Sequence, residues 1–145
     1  MATLLEAPCL ARLAPDALEL MTASLAAIDQ LSPVIVPRLK VSELGLLAPS
    51  VLVIDVDGLE VDSLETLRRL RFALPHCMIA VYTDGLTESW AFACHLAGAN
   101  CLLSKSSNAA QVAAGLHKAL QTGCFTDQAF QASQQGRLVS VIGSS

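Results

Sequence analysis

Charge is scarce in this sequence. Charged residues make up 15% of the 145 and aromatic residues 4%, against 53% hydrophobic. A chain with so little charge is poorly suited to disorder. It has enough apolar surface to cover both faces of a sheet with helices, so one α/β domain is expected. The 9 Lys and Arg residues are scattered and outnumbered by 13 Asp and Glu, for a formal net charge of −4. That excludes the basic stripe a nucleic-acid surface needs and points to protein partners. No apolar run approaches the roughly 18 residues of a membrane span. The opening MATLLEAPCL has neither the basic region nor the long apolar core of a secretory signal. A cytoplasmic protein without membrane insertion is expected. The five cysteines, Cys9, Cys77, Cys94, Cys101 and Cys124, form no CxxC pair and no zinc-site spacing with histidine, and read as reduced core thiols. His76, His95 and His117 have no carboxylate or cysteine at catalytic spacing and read as solvated or core histidines.

What is present is an alternation of short apolar runs with helical-period segments, the pattern of βαβ units around a parallel sheet. The first strand is expected over Ala2 to Leu5, with a helix entered at Pro15 and carrying Leu13, Ala17, Leu20, Met21, Leu25 and Ile28 at helical spacing. Val34 to Val36 reads as the second strand, Ser42 to Leu47 as a short helix and Val51 to Asp55 as the third strand. Asp62 and Glu65 have capping-box spacing ahead of a helix with Leu64, Leu67, Leu70 and Leu74. Cys77 to Tyr82 reads as the fourth strand, and Leu102 and Leu103 lie in the fifth. Thr87 and Asn108 cap the last two helices, and Gly98 and Gly123 close them. Residues 1–124 form the expected domain, 125–137 a Gln-rich linker, and 138–145 the first strand of a following domain.

The stretch VLVIDVDGLEVDS ends its apolar run on Asp55, with Asp57 and Gly58 just behind. A carboxylate at the carboxyl end of a buried strand lies where open α/β sheets place their sites. DVDG resembles the first motif of haloacid-dehalogenase-type phosphatases, which implies Asp55 as nucleophile and Asp57 as general acid. Leu59 stands where that family has threonine, and the only acid after Lys105 is Asp127, so the late metal-binding acid pair is missing. This is the third reading.

Asp55, Thr83 28 residues later and Lys105 22 residues further on each end a strand. In this the chain resembles the receiver domains of bacterial response regulators from about Leu4 to Gly123. The resemblance implies a doubly wound five-stranded parallel sheet of order 2-1-3-4-5. It also implies Asp55 as phosphoacceptor, Thr83 as a hydrogen-bond donor to the phosphoryl group and Lys105 as its counter-charge. Receivers hold magnesium with two acids after the first strand. Here Glu6 is followed by Ala7, so Glu6, Asp55 and Asp57 offer at best a weakened magnesium site. Asp84 puts a negative charge beside the incoming phosphate, Leu102 replaces the switch aromatic and Ser106 the proline after the lysine. No catalytic residue or certain cofactor is therefore assigned, and the bland alternative for Asp55 is a leftover acid held by Lys105.

The helix SWAFACHLA is apolar nearly all round, so a partner is expected on it. Trp90 and Phe92, extended by Leu102, form the expected homodimer interface through the fourth helix, fifth strand and fifth helix. GRLVSVIGSS is similar to the opening strand of MinD/ParA-type ATPases, although the lysine of a P-loop is not in the sequence. A degenerate receiver ahead of such an ATPase resembles TadZ/CpaE-type pilus-assembly localisation proteins. That implies a non-enzymatic regulatory and dimerisation domain at a pilus or secretion assembly site, a polar one included, with pilus, secretion or signalling proteins as partners. The alternative is a working receiver, phosphorylated on Asp55 and controlling transcription.

Overall fold

The computed structural model describes residues 8–29, 33–38, 40–59 and 62–130. The elements are β1 (Cys9–Ala11), α1 (Pro15–Asp29), β2 (Val34–Val36), α2 (Val41–Leu47), β3 (Val51–Asp55), α3 (Ser63–Ala73), β4 (Met78–Thr83), α4 (Glu88–Ala97), β5 (Cys101–Ser104), α5 (Ala109–Thr122) and β6 (Phe125–Thr126). All strand pairs are parallel, in the order β2-β1-β3-β4-β5-β6. The five-stranded 2-1-3-4-5 core expected from the sequence is present, and a sixth short strand extends it.

The high apolar content goes to both faces of this sheet. Leu52 and Ile54 of β3, Ile79 and Val81 of β4 and Leu102 of β5 point to one face, where Leu44 of α2, Leu67 and Leu70 of α3 and Cys94 of α4 cover them. Val51 and Val53, Ala80 and Tyr82, and Leu103 point to the other, under Met21 and Leu25 of α1 and Val112 and Leu116 of α5. Alternate residues of one strand thus feed two cores, so its sequence reads as a continuous apolar run. Four cysteines are buried as expected, and burial pushes the Cys77 and Cys94 thiols up to about 12; Cys124, however, is exposed.

Caps fix where the helices begin. Thr87 accepts from the Trp90 amide, and Asn108 with Gln111 forms a reciprocal capping box. Asp62 accepts from the Leu64 amide, while Glu65 turns outward to Arg68 and Arg69 instead of closing a box.

Two expectations are corrected. The first strand is Cys9–Ala11, three residues before α1 begins, whereas Ala2 to Leu5 lies outside the described residues. The start of the expected linker belongs to the domain: Phe125 and Thr126 pair with β5, and Phe130 is completely buried, a member of the core on the sheet face that α2, α3 and α4 cover. His95 Nε2 meets Thr126 Oγ1 at 2.8 Å, and Ser107 donates to Asp127 at 2.7 Å, pinning this segment down. The remainder of that linker and residues 138–145 lie outside the described residues.

Phe130→Ala should therefore cost about 3–5 kcal/mol in urea denaturation, the cost of emptying an aromatic site in a core. A loss below about 0.5 kcal/mol would mark it as a surface residue.

Candidate functional site

The site forms where the carboxyl ends of β1, β3, β4 and β5 come together. Asp55 ends β3, Thr83 ends β4 and Lys105 follows β5, and the parallel register sets Thr83 opposite Ser104. The Lys105 amide donates to the Thr83 carbonyl at 3.0 Å, which carries the sheet one residue further and aims the lysine across the sheet end. Its Nζ lies 2.9 Å from Asp55 Oδ2 and 2.8 Å from Asp57 Oδ2, so one ammonium clamps two carboxylates. It also lies 5.8 Å from the centroid of the Tyr82 ring, within cation–π range. The three side chains are only 27%, 15% and 31% exposed for Lys105, Asp55 and Asp57 respectively.

Asp57 is the most heavily engaged member. The Thr83 hydroxyl donates to its Oδ1 at 2.7 Å, and the Asp84 amide donates to its Oδ2 at 2.9 Å. Its own amide donates to Asp55 Oδ1 at 2.9 Å, an Asx-type turn tightened by Gly58 at φ 72°. Burial alone would raise the Asp57 carboxyl. Lys105, Thr83 and the Asp84 amide outweigh that effect and hold it below its ordinary value. Burial likewise works against the Lys105 ammonium, but bonds to Asp57 and Asp55 hold its pKa above the usual lysine value.

The sequence reading did not find Arg12. It follows β1 directly, takes a left-handed φ of 60°, and its amide donates to the Val36 carbonyl. Its Nη1 donates to the Asp55 carbonyl at 2.8 Å and to the Asp57 carbonyl at 3.2 Å. The signal was available, because Pro15 fixes the start of α1 and βα loops are short. A strand ending at Leu5 would leave nine residues before Pro15, whereas one ending at Ala11 leaves three.

The magnesium implied by receiver chemistry does not fit these residues. Glu6, the acid expected after the first strand, lies outside the described residues, and the position following β1 is a cation. Arg12 takes the backbone carbonyls of Asp55 and Asp57, and both carboxylates are shared with Lys105. A hard divalent cation needs several free oxygens, and among the described residues no three or more His, Cys, Asp or Glu converge on one point.

The three residues expected at an interface differ in exposure. Leu102 is fully buried under α4 and cannot extend an outer surface. Trp90 is half-buried against the same core, and its indole lies so close to Gly85 that a Cβ there would sit 3.1 Å from Cδ1. Phe92 is 64% exposed, and Leu96 is 74% exposed. They stand four residues apart on one side of α4.

No family model and no curated protein matches the sequence. Solved structures do. A LuxR-family two-component response regulator from Aurantimonas sp. superposes with a TM-score of 0.70 at 19% identity, over 90% of this chain and 96% of that one. The isolated receiver domain of RcsB from Salmonella enterica serovar Typhimurium gives 0.71 at 18% identity, over 88% and 97%. A pilus assembly-related protein from Burkholderia pseudomallei gives 0.64 at 14% identity, over 81% and 87%. The chain has the receiver fold.

The site predicts a pH response. Asp57 has its folded pKa depressed, so its contribution is present above the unfolded value and is lost as pH falls through the folded one. Stability measured by urea denaturation should drop from about pH 4 downward. In Asp57→Asn that part of the drop should disappear; an unchanged acid profile would contradict the network.

Proposed function

We propose that this chain is an atypical receiver-type regulatory and dimerisation domain, non-catalytic, of a protein that localises pilus or secretion assembly. The observation that carries the regulatory half is Arg12. A guanidinium bonded to the Asp55 and Asp57 carbonyls occupies the end of β1, where metal-dependent phosphotransfer would need acids. A fixed cation there repels a second one, and Asp84 adds negative charge on the approach of a phosphodonor. Asp55 is then a structural acid, half of a clamp with Lys105. The pilus assignment is supported by the likeness to pilus assembly-related proteins from two Burkholderia species.

Dimerisation is supported by Phe92 and Leu96, two large apolar side chains exposed four residues apart on one side of α4. One self-complementary patch suffices for a twofold dimer. With no switch aromatic at Leu102, association is constitutive and the partners are proteins of the assembly or signalling machinery.

The second reading, a receiver phosphorylated on Asp55 that controls transcription, is favoured by the position of Asp55 at the end of β3 and by the likeness to a LuxR-family regulator. Intact-mass spectrometry after incubation with acetyl phosphate and magnesium separates the two. Most of the protein should stay unmodified. A near-stoichiometric phosphate adduct, absent from Asp55→Asn, would establish the second reading instead.

Light scattering should find a dimer at micromolar concentration, with or without phosphodonor. Phe92→Ala should weaken it by about 2 kcal/mol, roughly thirtyfold in dissociation constant. A monomeric wild type, or a dimer indifferent to both Phe92→Ala and Leu96→Ala, would remove this interface.

A further inference from the structure

Among the described residues the two most exposed large apolar side chains are not on α4. They are Phe72 of α3, 90% exposed, and Leu46 of α2, 84% exposed. Leu44, Leu67 and Leu70 carry the contacts of these two helices to the sheet, and Phe72 and Leu46 are left to solvent. Gly45 and Ala73 meet where the helices lie side by side: a Cβ on Gly45 would stand 4.0 Å from that of Ala73. Leu46 and Phe72 are their chain neighbours and stand beside this seam. An open groove of about 410 Å³ lies between the helices, lined by Val41 of α2 and by Glu65, Arg68, Arg69, Phe72 and Ala73 of α3.

The groove has a charge of its own. Glu65 lies 3.6 Å from Arg68 Nη1 and 3.3 Å from Arg69 Nε, so one carboxylate serves two guanidinium groups. A positive charge is left over on a chain whose net charge is −4. The Lys40–Glu43 pair at the start of α2 cancels within itself. Exposed apolar side chains beside an excess cation select a partner that is apolar and acidic. The walls are helix side chains with no open strand edge, so an extended segment finds no ladder to join, whereas a third helix can lie between the two. Two copies of the groove would bring like charges together, and one excess cation is too little to hold an acidic protein at an anionic bilayer.

We propose that the α2–α3 groove is a second protein-docking surface, separate from the α4 face, and that its occupant is an amphipathic helix of another protein with Asp or Glu beside its apolar stripe. Phe72 and Leu46 pack against the stripe, and an incoming carboxylate completes the pairing of Arg68 and Arg69. From Glu65 to Ala73 α3 rises about 12 Å, so an apolar stripe of about two turns matches the groove.

The probe is a designed helical peptide of about 15 residues, with Leu at helical spacing and Glu flanking the Leu stripe, and its control carries Lys for every Glu. Titrated into ¹⁵N-labelled protein, the Glu peptide should shift the Gly45, Phe72 and Ala73 amides saturably. Phe72→Ala and Arg69→Glu should each weaken binding about tenfold or more, Phe92→Ala should leave it unchanged, and the Lys peptide should bind at least about tenfold more weakly. Phe72 and Arg69 are exposed, so these variants should fold; Arg68→Glu replaces either that does not. No saturable shift up to millimolar peptide, equal binding of the two peptides, or shifts confined to α4 would overturn the proposal. A dimer lost in light scattering on Phe72→Ala would overturn it too, by making a second copy the occupant. So would sedimentation with phosphatidylglycerol vesicles that Phe72→Ala abolishes, which would make the occupant a membrane.

Discussion

One ammonium group holds the carboxyl end of this sheet together. Lys105 reaches across from β5 to Asp55 and Asp57, and the rest of the site is arranged around the charges it must balance. Two carboxylates facing each other at a partly buried strand end would repel, and a single lysine leaves one negative charge over. Arg12 supplies the second positive charge, delivered from β1 to the carbonyls of the same two residues. The four side chains Lys105, Arg12, Asp55 and Asp57 thus carry no net charge together, which a partly buried cluster favours. A further divalent cation would unbalance it.

That balance requires an unusual backbone. Arg12 is a non-glycine residue at φ 60°, a conformation that costs of order 1–2 kcal/mol for an L-residue. Its amide bond to Val36 and its guanidinium contacts to β3 keep it there. Strain of this kind persists where surrounding contacts over-determine it, and here it lies at the site itself. Asp55 and Thr83 end β3 and β4, and Lys105 follows β5. In this chain their hydrogen-bonding capacity is directed inward, at its own side chains.

The sheet and the three strand-end residues were legible in the sequence because β3, β4 and β5 are central strands. Buried on both faces, they appear as apolar runs long enough to be seen, and Asp55, Thr83 and Lys105 mark their ends. The edges were not legible. β1 is Cys9-Leu10-Ala11, three residues without a β-branched side chain, and the better strand former Thr3-Leu4-Leu5 drew the assignment upstream. That displacement hid Arg12 and directed attention to Glu6. β6 is two residues long in a Gln-rich stretch, and only packing reveals that Phe130 is core. The outward side of α4 was equally hidden, since a helix apolar all round does not show by periodicity which aromatic meets the sheet. Trp90 does so here, and Phe92 does not.

If the site is filled and balanced by its own residues, Lys105 and Asp57 must be energetically coupled. A double-mutant cycle in urea denaturation at neutral pH, using Lys105→Met, Asp57→Asn and the double variant, measures that coupling with no ligand present. The account predicts that the two substitutions are non-additive by about 1 kcal/mol or more, the double variant losing less than the sum of the singles. Additivity within about 0.3 kcal/mol would mean that the two side chains are independent in solution, and would contradict it.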